Sequence, residues 1–254
     1  MLEERIERYW TGRATGYSSS IIYEMQSFKR NAWRSLIKSF AGENKTLKVL
    51  DVGTGPGFFA ILMAELGHEV TAVDTSSDML KEAKRNADYA GFEIKFITGD
   101  AQNIDLPAGS FDLIVSRNLV WTLPTPLETY QEWYRLLNTT GRVLVFDANW
   151  YLRLSDDKLQ QKYEYCKSKA REMGFTEKVT NEQHRECEAI AKKLPLTYKK
   201  RPAWDKEAFI KCGFRDIVIE NNINNLIYDD REKIIYEATP MFAICAAKGN
   251  LEVN

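Results

Sequence analysis

Short runs typical of β-strands alternate with helical runs from about residue 47 onward. The pattern predicts strands at 47–52, 69–74, 93–98, 111–116 and 142–147, with helices at 58–66, about 78–90 and 126–137 between them. Gly67 and Gly91 follow two of these helices, as is typical of helix ends. Two more strands are predicted at 215–220 and 242–248. Such an alternation indicates a parallel sheet covered by helices.

Two segments depart from this alternation. Residues 3–40 are predicted to be helical with an interruption at 11–20, and residues 151–203 form a helical insertion. We therefore expect an N-terminal arm or lid (1–40), a core (41–150 and 204–254) and an inserted substrate cap (151–203). The first helix of the insertion carries an apolar stripe that must pack against another surface, formed by Leu159, Tyr163, Cys166, Ala170 and Met173.

Composition narrows the classes of protein that remain. The 254 residues carry 35 basic and 36 acidic side chains, so the net charge of −1 does not favour a nucleic-acid partner. The four cysteines form no CxxC pair, which argues against a disulfide framework or zinc knuckle and favours a reducing compartment. Neither a signal peptide nor a long apolar span is visible, so we expect a cytoplasmic protein without a membrane partner.

The glycine-rich loop 53–57 follows the first predicted strand, where the chain turns sharply and a ligand can approach the backbone. A dinucleotide fingerprint would need its third glycine at Phe58, and no Gly-Lys-Ser/Thr of a phosphate loop follows. Asp51, two residues before the loop, suits a cationic amino group better than a pyrophosphate. Asp74 ends the second strand, where a carboxylate can accept both hydroxyls of a ribose.

Five segments carry a family resemblance: VLDVGTGPG (49–57), VTAVDTSSDML (70–80), FITGDAQNIDLP (96–107), FDLIVSRNLVWTL (111–123) and RVLVFDANW (142–150). Residues 49–148 resemble the core of class I S-adenosylmethionine-dependent methyltransferases. The resemblance implies an α/β fold, a Rossmann-like doubly wound seven-stranded sheet whose last strand is antiparallel. It also implies S-adenosyl-L-methionine as the cofactor and S-adenosyl-L-homocysteine as the product.

The same resemblance implies a set of cofactor-binding residues in this sequence. Near the methionine part lie Asp51, Gly53, Thr54, Gly55 and Gly57; Asp74 binds the ribose; Thr75, Met79, Asp100 and Ala101 surround the adenine; Asn118 lies near the sulfonium. For each acidic residue, the alternative to cofactor binding is a structural role as a helix cap or turn residue. For Asn118, the alternative is a role as a turn former.

Methyl transfer from a sulfonium is an in-line displacement, so the protein must align the reactants and exclude water, and needs no protein nucleophile. The sequence has two histidines, and His68 is predicted at the edge of the sheet opposite the ligand. We therefore assign no catalytic residue, and the use of a general base stays open.

Aromatic residues are candidates for the acceptor pocket and lid, because their faces hold cations or flat molecules and exclude water. The N-terminal candidates, in a segment that resembles a Tyr-Trp-x-x-Arg-Ala-x-x-Tyr pattern of related methyltransferases, are Tyr9, Trp10 and Tyr17. Those after the fourth and fifth strands are Trp121, Trp150 and Tyr151. Ordinary packing between lid and core is the alternative.

A soft-metal or arsenite site built from Cys166, Cys187 and His184 is one hypothesis for the insertion. Small buried residues on amphipathic helices explain the same pattern, and we predict no metal.

The sequence thus predicts a methyltransferase acting on a small-molecule acceptor. A protein methyltransferase and a non-catalytic S-adenosylmethionine-binding regulator are the alternatives. Nucleic-acid methylation is disfavoured because no Asn/Asp-Pro-Pro-aromatic motif follows the fourth strand, and a nicotinamide dehydrogenase because of Phe58. The acceptor, the atom methylated and the oligomeric state stay open.

Overall fold

A seven-stranded sheet organises the part of the chain that the computed structural model describes, residues 1–41, 46–175 and 179–249. The strands are β1 Lys48–Val52, β2 Glu69–Asp74, β3 Lys95–Thr98, β4 Phe111–Arg117, β5 Leu137–Ala148, β6 Arg215–Glu220 and β7 Met241–Ala247. Their spatial order is β3-β2-β1-β4-β5-β7-β6. Neighbours among β1 to β5 are parallel, whereas β7 is antiparallel to β5 and β6. The predicted fold class, a Rossmann-like doubly wound sheet with an antiparallel last strand, is confirmed.

Helices cover both faces of this sheet. They are α1 Leu2–Thr11, α2 Ala14–Gln26, α3 Lys29–Ala41, α4 Phe58–Glu65, α5 Ser77–Ala90, α6 Pro126–Leu136, α7 Asp157–Glu172, α8 Asn181–Ala191, α9 Ala203–Cys212, α10 Asn224–Ile227 and α11 Asp230–Ile235. Helix α5 begins after Ser76, whose hydroxyl accepts a hydrogen bond from the Met79 backbone amide at 3.3 Å. It ends at Gly91, whose φ of 78° supplies the left-handed cap.

Aromatic side chains fill the core on each side of the sheet. On one side, the Trp33 ring lies edge-on to Phe59 and Phe146, with centroids 5.2 and 5.0 Å away. In the core cluster on the other side, Tyr130 stacks on Phe209 at 4.2 Å. These edge-on and stacked contacts add to the free energy of burial and fix how α3, α4, α6 and α9 lie on the sheet.

The predicted interruption of the N-terminal helices at 11–20 is wrong over most of its length. The break is confined to Gly12 and Arg13, and α2 already begins at Ala14. Serine, threonine and glycine have low helix propensity, but tertiary contacts override it here. The buried Asn86 side chain donates to Ser18 Oγ at 3.0 Å and to the Pro56 carbonyl at 2.9 Å, which attaches α2 to α5 and the glycine loop.

A fully buried ionic network connects the end of β5 to the segment that precedes α9. Arg201 donates to the carboxylates of Asp147 and Asp205. The Asp147 carboxylate also accepts the Trp121 backbone amide at 3.1 Å and the Trp150 indole N–H at 3.0 Å. Because all three charged groups are paired and hydrogen-bonded, the network holds the chain after β4 and after β5 in fixed positions. The predicted division into arm, core and cap stays a prediction.

Candidate functional site

A cavity of about 320 Å³ lies at the carboxyl ends of the central strands. Its walls come from α1, α2, the loop after β1, the ends of β2 and β4, and the segments 99–102 and 118–124. The connections that leave β1 and β4 run in opposite directions along the sheet, which makes this a topological switch point, the usual ligand position in doubly wound sheets. The volume lies within the range of about 300–1,000 Å³ found for small-ligand sites.

The glycine loop adopts a backbone that only glycine accepts easily. Gly53 and Gly55 have φ values of 68° and 53°, and both line the cavity. A Cβ at Gly53 would lie 2.7 Å from the methyl groups of Leu119. Gly57 has a different role, because a Cβ there would lie 3.2 Å from that of Ala83 on α5. Gly57 therefore allows α5 to pack closely against the loop and does not line the cavity.

Asp51 is the buried acid at the end of β1, and only 2% of its surface is exposed. Its carboxylate accepts a hydrogen bond from the Thr54 hydroxyl at 2.6 Å. Burial raises the pKa of Asp51 to about 7, while the Thr54 hydrogen bond and the positive charge of Arg117 act in the opposite direction. A carboxyl with this pKa titrates near neutrality and favours a cationic ligand group beside it.

Two further carboxylates stand at the ends of β2 and β3. Asp74 accepts backbone hydrogen bonds from Gly55 at 2.8 Å and Ser76 at 2.9 Å, and burial raises its pKa against these bonds. Asp100 accepts the backbone amide of Gln102 at 2.9 Å. Both line the cavity, so their remaining lone pairs are available to donors on a ligand.

Asn118 combines backbone strain with an unsatisfied oxygen. Its φ of 58° is in the left-handed region, which Asn tolerates better than most residues. Its Oδ1 is buried and has no hydrogen-bond partner among the described residues. An unpaired buried acceptor costs about 1–3 kcal/mol, so a ligand donor in this cavity would relieve the cost.

The structure brings together every predicted cofactor residue except Gly57. The cavity is lined by Asp51, Gly53, Thr54, Gly55, Asp74, Thr75, Met79, Asp100, Ala101 and Asn118. Their individual roles stay predictions, whereas their convergence on one cavity is a property of the fold.

The predicted lid aromatics divide into two groups. Trp10 and Tyr17 line the cavity. Tyr9, Trp121, Trp150 and Tyr151 do not; they pack in a cluster with residues of α8. The Trp121 ring lies 5.1 Å from Tyr151 and 6.4 Å from Trp10, so this cluster connects the two groups.

Helix α1 lines the cavity and is attached to the rest of the protein at two places. Arg5 on α1 makes two hydrogen bonds of 2.6 and 2.7 Å to Glu186 on α8. Further along, the Thr11 hydroxyl lies 2.9 Å from that of Ser76 at the start of α5. Both contacts are part-buried and polar, and together they place α1 between α8 and the start of α5.

Cys187 and Cys166 have different surroundings. Cys187 is buried beside the hydroxyls of Tyr9 and Tyr151, and burial raises its pKa. Cys166 lies on α7 near the charge of Glu237, with burial again raising the pKa. Within the described ranges no three His, Cys, Asp or Glu side chains are grouped so as to hold a metal ion, and the soft-metal hypothesis gains no support.

Sequence reasoning missed Arg117, the last residue of β4. Arg117 lines the cavity, and its guanidinium lies 4.3 Å from the centroid of the Phe58 ring and donates to Glu24 at 2.7 Å. The available signal was a charged residue at the carboxyl end of an apolar central strand, which places its charge at the ligand edge of the sheet.

The sheet order, the cavity over the glycine loop and the carboxylates at the strand ends are typical of Rossmann-like cofactor-binding proteins. The fold and site therefore place this protein in that class. A family model for a methyltransferase domain matches residues 43–211, more than half of the chain. The chain belongs to this family of S-adenosylmethionine-dependent methyltransferases, which confirms the resemblance seen in the sequence. Within the described residues, no helix has the length and apolar character needed to cross a bilayer.

Two individual methyltransferases are similar in sequence to this chain over part of their length. A demethylmenaquinone methyltransferase from Thermus thermophilus is 31% identical over 117 residues, which are 45% of this chain and 53% of that protein. A malonyl-[acyl-carrier protein] O-methyltransferase from Enterobacter lignolyticus is 38% identical over 101 residues, 39% of this chain and 38% of that protein. The chain thus spans about half or less of these relatives.

Among solved structures, phosphoethanolamine N-methyltransferase 2 from Haemonchus contortus, in complex with phosphomonomethylethanolamine and S-adenosylhomocysteine, has a TM-score of 0.63. The match covers 95% of this chain and 59% of that chain at 17% sequence identity. At that identity the likeness establishes a shared fold.

Proposed function

We propose that this protein transfers the methyl group of S-adenosylmethionine to a small-molecule acceptor. The observation that carries the proposal is the convergence of three strand-end carboxylates and the unsatisfied oxygen of Asn118 on one cavity. The names of the similar proteins, which include methyltransferases for demethylmenaquinone and phosphoethanolamine, support an acceptor of modest size. A cytoplasmic location is part of the same proposal.

The residues present fit the proposed cofactor. Asp51 would hold its amino group, Asp74 the ribose hydroxyls and Asp100 the adenine amine, with Asn118 Oδ1 as a further acceptor. When bound, S-adenosylmethionine supplies an electrophilic methyl group on a sulfonium. Gly55 has no side chain, and its φ of 53° is one that glycine adopts easily. The backbone of the loop can therefore lie directly against a ligand.

The chain contributes enclosure and electrostatics to this reaction. Helices α1 and α2 cover the cavity with apolar and aromatic side chains, among them Ile6, Trp10 and Ile21, which exclude water from the reacting atoms. The charged lining consists of the carboxylates of Glu3, Glu7, Asp51, Asp74 and Asp100 and the guanidinium of Arg117. This excess of negative charge favours a cationic cofactor over its neutral product.

The test is isothermal titration of S-adenosylhomocysteine into the wild type and two matched variants. Gly55→Arg inserts a long side chain into the cavity wall, whereas Gly16→Arg adds the same side chain where a Cβ meets no atom within 4 Å. We expect Gly55→Arg to lose at least about 100-fold in affinity and Gly16→Arg to stay within about threefold of wild type. Absence of wild-type binding, or unchanged binding by Gly55→Arg, would overturn the proposal.

Turnover separates the catalytic proposal from the two alternatives. The wild type is incubated with S-adenosylmethionine and either the low-molecular-weight or the protein fraction of a cell extract, and formation of S-adenosylhomocysteine is measured. Turnover with the small-molecule fraction supports the proposal. Turnover confined to the protein fraction indicates a protein methyltransferase, and binding without turnover in either fraction indicates a regulator.

A further inference from the structure

Three tyrosines form a cluster at one side of the cavity. Tyr17 lies on α2 and lines the cavity, while Tyr228 follows α10 and Tyr236 follows α11. The rings of Tyr228 and Tyr236 stack with their centroids 4.7 Å apart. Burial is the main cause that raises the pKa of Tyr236 to about 12, and its neighbours Glu24 and Tyr17 act in the same direction. The three side chains therefore lie near one another, and we call them the tyrosine cluster.

The hydroxyl groups of the tyrosine cluster are open to a ligand. All three residues are half-buried. Among the residues that the structure describes, their hydroxyl oxygens have no hydrogen-bond partner, and none of these oxygens is fully buried. The raised pKa of Tyr236 keeps its hydroxyl protonated near neutral pH, and burial raises the pKa of Tyr228 as well. The cluster thus offers hydrogen-bond donors to a bound molecule.

The tyrosine cluster adjoins the glycine loop of the cavity. A ring carbon of Tyr17 lies 3.5 Å from the position that a Cβ on Gly55 would occupy. Trp150, which follows β5, lies edge-on to Tyr236 with ring centroids 6.0 Å apart, and its indole N–H donates to Asp147 at 3.0 Å. Because Tyr17 belongs both to the cavity and to the cluster, a molecule bound against the cluster lies next to the cofactor cavity.

The charged groups that influence the tyrosine cluster form two ion pairs. Glu24 accepts a hydrogen bond from Arg117 at 2.7 Å, and Glu232 accepts one from the buried Lys29. A ligand with a net charge would therefore add an unbalanced charge to a half-buried site, which is unfavourable. An uncharged ligand avoids this cost and can still use the phenolic hydroxyls.

The carboxylates of α1 that line the cavity lie in a different part of it. Glu7 is near Asp74 at the end of β2, where its charge adds to the effect of burial in raising the pKa of Asp74. Glu3 lies one helical turn before Glu7, further along the chain from Tyr17. Their negative charge therefore acts on the cofactor rather than on a molecule at the tyrosine cluster.

We propose that the tyrosine cluster and Trp150 bind the methyl acceptor, and that the acceptor is a flat, uncharged molecule with oxygen substituents, such as a phenol or a quinol. The aromatic side chains pack against the ring of the acceptor, and the hydroxyls of Tyr228 and Tyr236 donate hydrogen bonds to its oxygen atoms. The inference rests on the proposed function and names the substrate class for it.

The first experiment determines the charge class of the acceptor without knowledge of its identity. The low-molecular-weight fraction of a cell extract is passed at neutral pH through a cation exchanger, an anion exchanger or a phenyl resin. Each flow-through is then tested with S-adenosylmethionine and the wild type for formation of S-adenosylhomocysteine. We expect both ion-exchange flow-throughs to support turnover and the phenyl flow-through to lose it.

The other outcomes of this experiment are distinguishable. Loss of turnover on either ion exchanger, or full turnover after the phenyl resin, overturns the inference and leaves the proposed function intact. Absence of turnover with the untreated fraction overturns the proposed function instead.

The second experiment tests the residues. Tyr228→Phe and Tyr236→Phe each remove one hydroxyl and keep the ring, and Tyr89→Phe, at an exposed position on α5, is the matched control. We expect each cluster variant to need about 3- to 10-fold more of the fraction for its half-maximal rate, because one hydrogen bond to the acceptor is lost. The control should match the wild type. Calorimetric affinity for S-adenosylhomocysteine should stay within about twofold of wild type in all three variants.

The affinity for S-adenosylhomocysteine also reports that each variant is folded, and if one cluster variant does not fold, the other provides the comparison. An unchanged requirement for the fraction in the cluster variants overturns the inference. Equal weakening of acceptor and S-adenosylhomocysteine binding would assign these tyrosines a structural role and overturns it as well.

Discussion

Replacing Asp51 with asparagine should change how the stability of the protein depends on pH. Burial raises the pKa of this carboxyl from 3.8 to about 7 in the folded protein. Between those values the folded state binds a proton that the unfolded state has lost, so stability falls as the pH rises. Once the carboxyl is ionised in both states, this difference in pKa destabilises the folded state by about 4 kcal/mol. About 1.5 kcal/mol of this cost is already present at pH 5, which leaves about 2.5 kcal/mol between pH 5 and pH 8.

An asparagine side chain in place of Asp51 would keep the shape and can still accept the Thr54 hydrogen bond, but it does not titrate. We therefore expect Asp51→Asn to gain about 2.5 kcal/mol relative to wild type between pH 5 and pH 8. The measurement is urea denaturation of ligand-free protein at several pH values, with Asp88→Asn, an exposed carboxyl on α5, as the control for general charge effects. Parallel profiles for wild type and Asp51→Asn over this interval would refute the reasoning.

Three further predictions concern the scaffold. Trp33→Ala, which empties the centre of an aromatic cluster, should destabilise the protein by about 3–5 kcal/mol in denaturant unfolding. Arg201→Met should cost about 3–5 kcal/mol, because it leaves Asp147 and Asp205 buried without their cation; a loss below about 1 kcal/mol would show that the pair is not buried as described. Gly57→Ala, at a φ of 90° against α5, should cost about 1–3 kcal/mol and lower the melting temperature, with a smaller effect on S-adenosylhomocysteine affinity than Gly55→Arg.

Elements with strong local signals were predictable from the sequence. The strands at 69–74 and 215–220 have the observed bounds, and the helix predicted to end at 90 does so because Gly91 supplies a left-handed cap. The start of β5 was predicted at 142 but lies at Leu137. Helix α6 runs directly into this strand, and residues 138–141 have the composition of a turn. The short helices α10 and α11 were not predicted, because each is too brief to show a periodic pattern.

The residues of the site also differ in how far local sequence predicts them. The loop glycines and the strand-end carboxylates lie where local sequence places them. The role of Arg117 could not be predicted from local sequence, because its partner Glu24 is 93 residues away and belongs to α2. Gly57 has the spacing of its neighbours in the loop, and only the packing of α5 distinguishes it from Gly55. For both Arg117 and Gly57, contacts between segments that are distant in sequence determine the role of the residue.

The buried network around Arg201 has a consequence for exchanging parts between related proteins. Residues 151–203 look like a module that can be transplanted to change acceptor preference, but Arg201 forms its ion pair with Asp147, which lies outside that segment. A donor segment with a neutral residue at position 201 would leave Asp147 and Asp205 of the host buried without their cation. A chimera should therefore take all three residues from one parent, so the exchanged segment should begin before β5 and end after Asp205.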